Sequence, residues 1–98
     1  MRNLTQTLAL EWGPLGIRVN CICPGPVEGP RIEQVIQARA ASTGKSYELI
    51  KRDFTSASAM HRMVTEDEVA RVALFLVSEL AAGVTGQTIN VDAGFVMN

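Results

Sequence analysis

The sequence holds 98 residues, 47% of them hydrophobic and 19% charged, with a net charge of −1. That size suits one small domain, and the balance is that of a folding chain rather than a disordered one. No basic run recommends nucleic acid, no apolar stretch nears the roughly 20 residues of a membrane span, and Met1-Arg2-Asn3-Leu4-Thr5 lacks a secretory apolar region. A cytoplasmic protein with neither a nucleic-acid nor a membrane partner is therefore expected.

Residues 1–12 read as a helix, with Leu4, Leu8 and Trp12 on one stripe and Ala9 beside them. Gly13-Pro14 stops it, and no capping residue precedes Met1, which points to chain continuing upstream. Residues 17–23 read as a strand. Ile17, Val19, Cys21 and Cys23 share one face, Arg18, Asn20 and Ile22 the other, and Pro24-Gly25-Pro26 ends it because proline cannot donate to a ladder. The cysteines are spaced C-x-C, whereas redox pairs and zinc sites usually use C-x-x-C. Two small buried thiols are expected, and no metal site.

Two short amphipathic patterns follow. Ile32, Val35, Ile36 and Ala40 line the first, which stops at Gly44; Ser46 caps a second holding Tyr47, Ile50 and Phe54. Residues 55–59 read as a loop or frayed end. Thr65 and Glu68 then form a capping box with Val64 and Val69 as a staple. The helix so started is expected to reach Leu80, burying Val69, Val72, Ala73, Leu76 and Leu80, with Phe75 and Val77 widening that face. Residues 88–91 are a second strand, ended by Asp92-Ala93-Gly94. A strand, a helical crossover and a second strand make a parallel pair, and a helix on each face gives an α/β sandwich of doubly wound type.

Leu8-Ala9-Leu10-Glu11, Gly16-Ile17-Arg18-Val19-Asn20, Pro24-Gly25-Pro26-Val27, Val84-Thr85-Gly86-Gln87 and Val91-Asp92-Ala93-Gly94 occur in that order. Together they resemble the last third of the short-chain dehydrogenases/reductases. The resemblance implies the C-terminal portion of a Rossmann-type sheet and hydride transfer between NAD or NADP and a carbonyl or alcohol. It makes Pro24, Gly25, Pro26 and Val27 the cofactor contacts, with the backbone N–H and C=O of Val27 on the nicotinamide carboxamide. Gly25, lacking a side chain, is expected to let backbone approach the ring. Two positions depart from the family: Gly29 stands where a cofactor-holding Thr is common, and Ala93 where Gly is.

Residues 28–63 correspond to the substrate-covering lid, in which Arg31, Arg39, Tyr47 and His61 are conceivable substrate contacts but read more simply as solvated or packing side chains. Tyr47 and Lys51 spell Y-x-x-x-K, yet they follow the Pro-Gly turn, whereas the family's catalytic pair precedes it and would lie just upstream of Met1. With that pair, its Ser and the glycine-rich phosphate turn all absent, no catalytic residue is expected here, nor tight cofactor binding, and the chain alone should be inactive. The resemblance also implies a small-molecule substrate, unspecified by the sequence, and a homo-oligomer. The alternative from the same fold is a non-catalytic assembly module. With only two strands, a marginal monomer with an open edge at residues 17–23 is expected.

Overall fold

A computed structural model describes residues 2–95. In chain order these form α1 (Arg2–Trp12), β1 (Cys21–Pro24), α2 (Pro30–Thr43), α3 (Tyr47–Ser56), α4 (Glu66–Val77) and β2 (Thr88–Val91). Met1, assigned above to the first helix, lies outside the described residues.

The strands pair in parallel, Cys21 opposite Thr88 and Pro24 opposite Val91. Side-chain alternation puts Cys21, Cys23, Thr88 and Asn90 on one face and Ile22, Pro24, Ile89 and Val91 on the other. α1 lies over the first face: a Cβ on Gly86 would meet that of Ala9 at 3.4 Å. α4 lies over the second, where Ala73 and Leu76 line a cavity of about 570 Å³ together with Asn20 and Ile22. The parallel pair and the helix–sheet–helix sandwich are as the sequence predicts.

The first strand is shorter at its start and longer at its end than expected. Residues 18–20 meet the loop before β2 mainly through side chains: Arg18 Nη1 and Asn20 Nδ2 donate to Val84 O, and Val19 N donates to Thr85 Oγ1. A regular ladder starts only where Cys21 N donates to Gln87 O, and it continues past Pro24 to Gly25 N on Val91 O. The odd-numbered residues of β1 thus bond to β2, and the even-numbered ones face the opposite edge. Pro24 is tolerated because its missing N–H falls on that unpaired edge.

Helix faces also differ from the expected stripes. In α1 the buried residues are Thr5 and Ala9, while Leu4 and Trp12 are exposed. α4 stops at Val77, because Ser78 turns extended and its hydroxyl donates back to Phe75 O. Leu80, expected inside, is 83% exposed, and Val77 and Phe75 also face out. α3 runs to Ser56, into the stretch expected to fray. The tightest apolar cluster lies within residues 28–63, where Ile36, Ile50 and Met63 pack with Ile32, Ala40, Tyr47 and Phe54.

Candidate functional site

The two strands end side by side, and the chain leaves β1 beside the exit of β2. Gly25 lies against the exit of β2 so closely that a Cβ on it would come 2.5 Å from that of Asp92. The space a Cβ would need is therefore taken by Asp92, which by itself requires glycine here. Asp92 is buried, and its Oδ1 accepts from Gly94 N at 2.9 Å. The segment after α3 is bonded to this turn, with Met60 N donating to Ala93 O and Ala59 N to Gly94 O. Ala93 takes φ 56°, a left-handed conformation in which glycine is easier.

From Gly25 the chain passes through Pro26 and Val27 into a single parallel bridge with Val64. Val64 N donates to Pro26 O at 3.2 Å, and Glu28 N to Val64 O at 2.8 Å. In that pattern the backbone of Val27 faces away from Val64. Among the described residues its N–H and C=O have no hydrogen-bond partner. Pro24, Gly25, Pro26 and Val27 form one wall of a cleft of about 630 Å³ whose opposite side holds Ile32 and Val35 of α2. Gly29 adopts φ 152°, ψ −178° just before α2, a region open essentially to glycine alone. A threonine there would be strained as well as 3.2 Å from Glu66 Oε1, so the departure from the family pattern belongs to this backbone path.

Of Arg31, Arg39, Tyr47 and His61, only Arg31 lines the cleft. Arg39 stacks over the Phe54 ring at 5.1 Å and His61 is exposed at φ 55°. The Tyr47 hydroxyl donates to Glu33, which together with partial desolvation pushes its pKa up to about 12. Lys51 Nζ lies 6.0 Å from the ring centroid. A tyrosine serving as proton donor needs its pKa brought down by a nearby cation; this one is held protonated and joins α2 to α3.

The Arg62–Glu68 pair escaped the sequence reading. Both guanidinium nitrogens donate to the carboxylate at 2.7 Å, while Glu68 also accepts from Thr65 N to complete the capping box. Arg62, then the Thr65 N–H, pulls the Glu68 pKa down to about 2. The pair fastens the residues flanking the Val64 bridge to the start of α4. Its only advance sign was the capping box, since pairing six residues apart has no fixed helical spacing to reveal it.

Parallel strands with a helix on each face and a turn at their carboxyl ends define an α/β protein of Rossmann type. A family profile described as Enoyl-(Acyl carrier protein) reductase matches residues 1–96. A short-chain dehydrogenase/reductase of Armillaria gallica is 39% identical over 98 residues, all of this chain and 36% of that protein. The NADH enoyl-[acyl-carrier-protein] reductase of Haemophilus influenzae is 40% identical over 93% of this chain and 31% of its own length. The crystal structure of a short chain dehydrogenase family protein from Francisella tularensis superposes with a TM-score of 0.89 at 30% identity, over 96% of this chain and 39% of that one. The chain belongs to the short-chain dehydrogenase/reductase family, and it spans about a third of the length of these relatives.

Proposed function

We propose that this chain forms the nicotinamide-facing wall and the lid of an NAD(P)-dependent oxidoreductase that moves a hydride between nicotinamide and a small carbonyl or alcohol substrate. The observation that carries this reading is the unpartnered N–H and C=O of Val27 on the wall of an apolar cleft at the strands' carboxyl ends. An amide offers one donor and one acceptor of its own, so a carboxamide complements that pair. The bound cofactor would supply the hydride. Pro24, Gly25, Pro26 and Val27 would seat its nicotinamide end, and residues 28–63 would exclude water. The chain has no glycine-rich phosphate turn, so it fits only that end of the cofactor, and NAD and NADP remain equal candidates. Without the Tyr-x-x-x-Lys pair before the turn it is inactive alone. A cytoplasmic homo-oligomer is part of the same proposal.

The test is a titration of the isotopically labelled chain with nicotinamide mononucleotide, followed by amide shifts. The reading expects the Val27 amide to move most, with affinity no tighter than millimolar and no turnover of a carbonyl panel with NADH or NADPH. Shifts confined to other surfaces would sink it. The second reading, an assembly module without chemistry, is favoured by the outward-facing Leu74, Val77 and Leu80. It expects a stable oligomer whose Val27 amide ignores the nucleotide.

A further inference from the structure

β1 places Cys21 and Cys23 on the same face, both free and both half-buried rather than buried as the sequence suggested, with their sulfurs 4.0 Å apart. Neither thiol has a role in the cofactor turn. Three chemistries are open to such a pair, and the strand discriminates among them. A disulfide needs Cβ atoms about 3.5–4.5 Å apart. Same-face neighbours along a strand are separated by two rises, about 6.6 Å, and the ladder bonds of Cys21 and Gly25 hold β1 in that extended form. Oxidation would have to pucker the strand and break those bonds. A structural zinc ion needs four ligands, and the described residues contain no group of three or more His, Cys, Asp and Glu able to hold a metal.

A single centre content with two sulfurs fits better. With bonds near the zinc–thiolate length of about 2.3 Å and a pyramidal angle near 100°, it holds two sulfurs about 3.5 Å apart, a small approach from 4.0 Å that side-chain rotation supplies. Burial and the neighbouring sulfur raise the Cys23 pKa, which disfavours ions that must first displace the thiol proton. A trivalent arsenical brings its own proton acceptor, the oxygen that departs. Its As=O group condenses with two thiols: two As–S bonds form, the As–O bond is lost, and the oxygen leaves as water carrying both thiol protons. No electrons are transferred.

We propose that Cys21 and Cys23 form a dithiol capture site for trivalent arsenicals. The reduced chain is incubated with phenylarsine oxide, passed through gel filtration in excess monothiol, and weighed intact. The expected product carries one phenylarsenic group in place of two thiol hydrogens and releases it to dimercaptopropanol. Cys21→Ser and Cys23→Ser should each lose the adduct. A transposed variant, Ile22→Cys with Cys23→Ser, keeps two thiols but points them to opposite faces and should lose it too, its circular dichroism reporting that it folds. Retention by either serine variant or by the folded transposed variant overturns the site, as does the absence of an adduct on the folded natural chain. Rapid formation of an internal disulfide with diamide, without loss of structure, overturns the geometric argument.

Discussion

Gly25 shows how one hydrogen atom sets the spacing of two strand ends. A Cβ at this position meets Asp92 Cβ at 2.5 Å, and neither atom is the far end of a flexible side chain. Gly25→Ala should therefore splay the carboxyl ends of the sheet and destabilise the fold by about 1–3 kcal/mol, the usual range for overpacking. A urea titration of both chains reads this directly; an unchanged midpoint would contradict the close approach. Glu68 carries a pH signature of the opposite kind, electrostatic rather than steric. Its folded pKa, pulled down to about 2 by Arg62 and the Thr65 N–H, lies below the ordinary 4.5. The charged form is thus favoured in the folded state. Its contribution is complete above about pH 4.5 and lost as the pH falls through 2. Glu68→Gln should flatten stability across that window, measured as the melting temperature against pH. Both side chains of the pair are partly exposed, so salt should weaken the effect.

The two sides of β1 behave differently as hydrogen-bonding surfaces. Cys21 and Gly25 donate to Gln87 and Val91, and register gives Cys23 the matching bond to β2. Ile22 points its N–H at the unpaired edge. Amide hydrogen exchange of the folded chain should find Cys21, Cys23 and Gly25 protected and Ile22 exchanging faster. Equal protection of all four would mean that another strand covers the edge. The helices divide in the same way. α2 and α3 close on each other around Ile36, Ile50 and Met63, so residues 28–63 have a small core of their own. α4 sets Leu76 inward but leaves Leu74 and Val77 in water, 67% and 78% exposed. A helix apolar on both sides is one made to be packed on both sides.

The whole molecule is extended for its size. Its radius of gyration is 16.9 Å and its extents are 55 × 23 × 22 Å, where a compact domain of this length has a radius of about 13 Å. It exposes 6748 Å², against about 5,500 Å² for a compact monomer of its mass. The sheet and residues 28–63 each bury something, but among the described residues no single core spans both. Marginal stability and concentration-dependent association are expected. Small-angle scattering across a dilution series should show apparent mass rising with concentration. A monomer with one sharp, high-temperature melt at every dilution would count against this account.

The features legible in the sequence were the local ones. The Ser46 cap and the Thr65–Glu68 capping box need only neighbouring residues, and both stand as read. The parallel pair followed from the order strand, helices, strand, because a crossover of this length permits little else. The Pro-Gly turn was recognisable, and the structure puts it at the strands' carboxyl ends. What the tertiary structure decided were matters of which surface meets which. Periodicity marked Leu4, Trp12, Phe75, Val77 and Leu80 as apolar, but an apolar stripe does not say whether its partner is within this chain, and these five are exposed. Proline rules alone ended β1 too early, since they do not say toward which edge the missing N–H points. The close approach of Gly25 to Asp92 joins residues far apart in sequence, and the 4.0 Å between Sγ of Cys21 and Cys23 depended on the rotamers of two side chains. The sequence by itself determined the elements and their order, because those arise from short-range backbone preferences. Only the fold determined burial, edge direction and the use of each glycine, because those depend on contacts between residues that the chain brings together from a distance.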